Sequence, residues 1–154
     1  MTFALGLVLG VVATAGAVYL LMPRLMLRTR RSRLPVEETV ARICEEARKE
    51  GWSVPKVYDM KESLEKGGHP IGEDIRIISL CKPVYARQVL GRDEYKKMSA
   101  IMPCRIGVYR ARDGSVYVAQ MNTGLMGRMF GSFIATVMGR VSEEEHRFLA
   151  HVTE

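Results

Sequence analysis

Two cysteines carry the strongest chemical signal in the chain. Cys81 stands in Cys81-Lys82-Pro83, at the expected start of a helix and beside a cation. The helix dipole and a neighbouring ammonium both favour the thiolate, and such settings lower a thiol pKa to roughly 3.5–7.5. Cys104 follows Pro103 at the expected start of a strand, where a sheet brings it near Cys81. Two such thiols have the chemistry for disulfide exchange, for carrying a sulfane sulfur or for holding a soft metal. The same residues also suit burial as small hydrophobes at strand ends, since free cysteine is among the most buried residue types. Cys44 falls on the apolar stripe of an expected helix and reads as packing.

No further constellation completes a site around these thiols. His69, in the loop Gly67-Gly68-His69-Pro70, is the one histidine that is a candidate metal ligand beside Cys81 and Cys104, but no matching ligand spacing surrounds it. His146 and His151 stand among charged residues near the C-terminus and read as solvated. The three cysteines form no C-x-x-C and no secreted disulfide framework. Neither Gly67-Gly68 nor the glycines of 124–131 form G-x-G-x-x-G or a P-loop, so nucleotide binding is not expected. Glu143, Glu144 and Glu145 read as acidic residues opening a helix, with Ser142 and Glu145 as its capping box. No cofactor is expected, and no complete catalytic set is visible.

The elements that must position these residues follow from periodicity. Pro35 opens a helix to about Glu50, with Val36, Val40, Ile43, Cys44 and Ala47 on one stripe and Gly51 at its end. Residues 52–58 read as a strand that Pro55 confines to an edge, and Ile75 to Leu80 as a central strand. Pro83 starts a helix to about Leu90, and a further helical turn covers Asp93 to Ala100. Cys104 to Arg110 and Val116 to Met121 form a hairpin through Asp113-Gly114. The segment Gly124 to Gly139 is apolar all round a helical wheel, and a C-terminal helix to about His151 follows. Leu125, Met126, Met129, Phe130 and Phe133 within it suit a protein or membrane contact, or close core packing around the glycines. The fold class expected is α+β: a small antiparallel sheet covered by helices.

Ahead of that domain, Thr2 to Met22 contains no charge. Twenty-one helical residues span roughly 32 Å, against about 30 Å for a bilayer core. No Lys or Arg precedes the run, as a signal peptide would require, and Pro23 is expected to end it. Arg24, Arg28, Arg30, Arg31 and Arg33 follow at once and account for most of the formal net charge of +6. The positive-inside rule then places the N-terminus outside and the domain in the cytoplasm, with the arginines at lipid head groups. The basic balance is local, with no basic and aromatic face of the nucleic-acid type. Gly6, Gly10, Ala13 and Ala17 share one helical face, the pattern by which helices associate in lipid. The expected organisation is an anchor over 1–23, a basic juxtamembrane linker over 24–33 and an α+β domain over 34–154.

From about Gly51 to Phe148 the chain resembles the prokaryotic family called domain of unknown function 302. The likeness rests on Cys81-Lys82-Pro83-Val84-Tyr85-Ala86, on Met102-Pro103-Cys104-Arg105-Ile106 with Val108-Tyr109, and on the Asp113-Gly114 hairpin. Met121-Asn122 and Leu125-Met126-Gly127-Arg128-Met129-Phe130-Gly131 are similar to a membrane-associated branch. The resemblance implies an antiparallel sheet covered by helices and members that pair as homodimers; it implies no reaction.

The functional expectation is a single-pass protein of a prokaryotic cytoplasmic membrane that works by interaction and not by catalysis. It would be an accessory subunit of a respiratory or redox membrane complex. Its partners would be lipid and either a second copy or other membrane subunits, with Gly6, Gly10, Ala13, Ala17, Met126, Met129, Phe130 and Phe133 at the contacts. Two alternatives stand beside it: a thiol protein using Cys81 and Cys104 for redox or sulfur transfer, and a domain binding a small apolar ligand.

Overall fold

A computed structural model describes the chain from Thr2 to Glu154, with side chains described from Gly6 onward. Helix α1 (Thr2–Met26) leads directly into strand β1 (Leu27–Arg31), followed by α2 (Val36–Lys49), β2 (Ser53–Asp59) and α3 (Met60–Lys66). Then come β3 (Ile75–Cys81), α4 (Pro83–Leu90), a 3₁₀ segment (Asp93–Ile101), β4 (Cys104–Arg110), β5 (Val116–Met121), α5 (Thr123–Arg128) and α6 (Ser132–Leu149). The strands form one antiparallel sheet in the order β1-β5-β4-β3-β2, so the fold is α+β as expected.

The sheet is built where the side-chain alternation puts it. Ile78 and Leu80 of β3 pair with Ile106 and Cys104 of β4, and Val108 pairs with Val118 of β5, all toward the helices. Ile43 and Ala47 of α2 and Phe148 and Leu149 of α6 close over them as one core. Burying each such aliphatic or aromatic side chain contributes about 1.5–3 kcal/mol. Pro55, which cannot donate a ladder bond, sits in edge strand β2, and the β2–β3 register shifts between Ser53 and Lys56 around it. At the hairpin, Gly114 takes φ +83° and Ser115 N donates to Asp113 Oδ1 at 2.9 Å. The opposite sheet face leaves Ile77 and the stacked pair Tyr109 and Tyr117 only partly covered.

Four expectations change. Residues 24–33 are not a free linker. Leu27–Arg31 pair with Met121–Tyr117 of β5 as an edge strand, Ser32 N donates to Val116 O, and Arg33 N donates to Val152 O. Pro23 does not end the helix: α1 continues to Met26, since a proline so near a helix end costs one internal bond. The apolar stretch 124–139 is no single helix, because Gly131 at φ +92° separates α5 from α6. The Ser142–Glu145 capping box does not form either. Ser142 lies in the middle of α6, whose start is set ten residues earlier by Gly131. In addition α3 arises unpredicted, capped by Asp59, whose Oδ1 accepts from Glu62 N at 3.0 Å.

Candidate functional site

The end of the sheet where β3 leaves for α4 and β4 begins holds both candidate cysteines. Leu80 is in register with Cys104, so Cys81 stands one residue further along the adjacent strand. Cys81 and Cys104 line the same small cavity of about 40 Å³, together with Met98, Met102 and Met138 and with Trp52 at one side. Such a volume has room for roughly three waters, far below the 300–1,000 Å³ of a drug-sized ligand site. A larger cavity of about 280 Å³ shares Met102, Cys104 and Met138 and extends to Thr123 and Glu145.

Cys104 and Glu145 form the buried polar pair of this region. The Glu145 carboxyl accepts from Thr123 Oγ1 at 2.9 Å and lines the same cavity as the Cys104 thiol. Burial pushes Glu145 up to about 7, against the opposing pull of Thr123, Cys104 and the Arg28 charge. Burial also pushes the Cys104 thiol well up, with the neighbouring Glu145 carboxylate adding to it. Cys104 is therefore a neutral thiol beside a carboxyl that titrates near neutrality. Cys44, on the buried stripe of α2, is likewise raised by burial.

Lys82, the cation next to Cys81, is engaged by other groups. Its ammonium donates to Glu144 Oε2 at 2.6 Å and to the Glu50 carbonyl at 2.9 Å, so its charge is committed elsewhere. Glu144 is the hub of that cluster. Its Oε2 also accepts from the Trp52 indole Nε1 at 2.7 Å, and its Oε1 from Tyr85 Oη at 2.6 Å. Burial alone would raise Glu144, but the Lys82, Tyr85 and Trp52 donors outweigh it and hold the carboxylate below its usual range. Trp52 packs edge-on to Tyr85 and Phe148 at 6.4 and 6.0 Å. Lys82 and Glu144 thus brace the cavity wall.

Neither glutamate opens a helix, as the sequence reading had them; both face inward from the middle of α6. The signal was present. Val141, Glu144, Glu145, Phe148 and Leu149 follow one helical stripe, and all five are buried. Polar residues on an apolar stripe need partners, and these have them.

The other expected site residues fall apart from the cavity. His69 is exposed in the α3–β3 loop and lines neither cavity. Among the described residues no group of three or more His, Cys, Asp or Glu is placed to hold a metal ion. Of the four apolar contact candidates in the domain, Met126 is buried against its own fold. Phe133 stacks on Tyr95 at 5.1 Å with the Arg92 guanidinium 3.9 Å over its ring. Met129 and Phe130 are exposed, at 63% and 38%. Gly6, Gly10, Ala13 and Ala17 lie on the bare surface of α1, and a Cβ added at Gly6 or Gly10 would meet nothing within 4 Å. Arg30 turns to His146, its guanidinium 3.1 Å from Nδ1, while Arg24, Arg28, Arg31 and Arg33 are exposed.

No curated protein matches this chain. Among solved structures, the chain is similar to an uncharacterized conserved DUF302 protein from Bacillus stearothermophilus, with a TM-score of 0.72 at 21% identity. The match covers 81% of this chain and 96% of that one, which supports the fold. The family described as "Domain of unknown function DUF302" matches residues 28–152, from the second residue of β1 to Val152 of the core. The chain belongs to the DUF302 family.

Proposed function

We propose that this chain is a single-pass membrane protein whose domain faces the cytoplasm and works by association, as an accessory subunit of an integral-membrane assembly. The carrying observation is the join between α1 and the sheet. Asn122 N donates to Met26 O at 2.7 Å and Asn122 Nδ2 to Leu25 O at 2.9 Å, and β1 begins at the next residue. Helix and domain therefore form one body, and a contact made in the bilayer fixes where the domain sits. The stretch Gly6–Met26 has mean hydropathy 1.9, and none of it is buried in the chain. A helix apolar all round and covered by nothing of its own calls for lipid and a partner helix. Its last turn is built into the domain, which favours a retained anchor over a cleaved signal. The arginines that follow favour an inward-facing domain.

The test is the size of the full chain in mild detergent. The wild type should run larger than a monomer, and Gly10→Ile, which puts a branched side chain on the small-residue ridge, should shift it toward monomer. A wild-type monomer would overturn the reading.

A second reading keeps the thiols active, in redox or sulfur-transfer chemistry, because Cys81 and Cys104 share one cavity wall. It requires that Cys81 be alkylated faster at neutral pH than buried Cys44 in the folded protein. Equal slow rates would leave both cysteines as packing.

A further inference from the structure

We propose that the groove at the foot of α1 binds the phosphate of one anionic phospholipid, held between Arg28 and Arg128. The inference rests on the membrane-anchor reading and adds to it a defined site. The groove, about 810 Å³, lies between the last turn of α1 and the α5–α6 pair, with Leu25, Leu125 and Ala135 in its walls. Arg28 reaches it from β1 and Arg128 from the last turn of α5, a hundred residues later in sequence.

Most of the charge in this groove is uncompensated. Arg28 and Arg128 make no ion pair among the described residues, although the Arg28 charge is felt by the buried Glu145, whereas Arg147, also in the wall, is paired to Glu50 by two bonds of 2.9 and 2.7 Å. Glu143 is the one carboxylate in the lining, and His146 is engaged by Arg30. Two free guanidiniums beside apolar walls match a phosphodiester with acyl chains attached, since arginine binds phosphate oxygens through a fork of donors. Leu25 belongs to the transmembrane helix, so the groove opens at the boundary where lipid phosphates lie. Met129 and Phe130, exposed immediately after Arg128, add apolar surface next to it in sequence.

This differs from diffuse attraction to a basic segment. Strand β1 fixes Arg28, Arg30 and Arg31 over roughly 10 Å, with Arg31 on the opposite face from the other two and Arg30 held at His146. The three do not gather on one head group. Arg128 lies outside that strand and so separates a built site from a general polybasic effect.

The full chain is reconstituted in nanodiscs containing phosphatidylcholine with phosphatidylglycerol, re-extracted in mild detergent, and its retained lipid quantified by native mass spectrometry. The wild type should retain phosphatidylglycerol in preference to phosphatidylcholine. Arg128→Gln should lower that retention by about fivefold or more, while Arg33→Gln, which removes the same charge outside the groove, should leave it unchanged. Equal loss in both variants, or no loss in Arg128→Gln, would overturn the site. Displacement of the lipid by millimolar inorganic phosphate would overturn the lipid assignment in favour of free phosphate. Failure of the anchor reading has a separate signature: a chain that stays soluble without detergent and enters no nanodisc.

Discussion

Asn122 stands between two helix ends and closes both. Its side-chain Nδ2 donates to the Leu25 carbonyl at 2.9 Å, while its Oδ1 accepts from Leu125 N at 3.2 Å. The first bond satisfies a carbonyl left without an internal partner in the last turn of α1, and the second caps the start of α5. A single buried amide therefore ties the apolar helix α1 to a helix of the α+β domain, across 97 residues of sequence.

Replacing Asn122 by Ala should cost about 1–2 kcal/mol in unfolding of the full chain in detergent, through the lost cap and the lost carbonyl bond. Asn122→Asp keeps the α5 cap but gives up the donor to Leu25. It should recover part of the stability without restoring the fixed angle between α1 and the domain, which spin labels on α1 and α6 would report.

Glu145 makes stability depend on pH. Its folded value of about 7 exceeds the ordinary 4.5, so between those values the folded chain holds more protons than the unfolded one. Stability should therefore fall as pH rises from about 5 to 8, by about 3 kcal/mol, and level off above that window. Chemical unfolding at a series of pH values checks it. Glu145→Gln, which carries no titrating proton, should flatten the dependence.

Glu144 holds three donors at once, so its removal strands Lys82 and the Trp52 indole N–H inside the fold. Glu144→Ala should cost about 3 kcal/mol or more. Trp52 is the sole tryptophan, and its fluorescence should shift in step with the loss of that bond.

Met129 and Gly127 sit two residues apart and should respond oppositely. Met129→Lys places a charge on an exposed position, so the domain should melt as the wild type does while its association in detergent weakens. Gly127→Ala should destabilise the domain instead, because the added Cβ would lie 2.6 Å from Met138 Cβ where α5 crosses α6. Thermal melts of both variants decide between surface and core.

What was legible in the sequence was whatever local pattern enforces. The Asp113-Gly114 turn, the Pro83 helix start and the edge position of Pro55 are each set by a residue whose backbone has few choices. Strand β1 was hidden because Leu27-Arg28-Thr29-Arg30-Arg31 has the composition of a lipid-facing linker. Only its partner β5, 86 to 94 residues away, makes it a strand, and pairing of that kind leaves little local trace. The cysteines were found by type, but the surroundings of each were misread. Lys82 turns its charge to Glu144, and Cys104 is governed by burial and by Glu145, a residue first read as a helix cap. Both errors come from treating residues 142–151 as a separate helix; extending the α6 phase back to Ile134 would have put Glu144 and Glu145 on the buried stripe.

An anchored, inward-facing domain is the centre of the proposed function. The direct measurement is a reporter active only in the cytoplasm, fused after Glu154 and assayed in cells whose membranes are then washed with alkaline carbonate. The fusion should be active and remain entirely with the washed membranes, because α1 is retained and the arginines from Arg24 to Arg33 hold the domain inside. An inactive fusion, or an active one released into the soluble fraction, would contradict it.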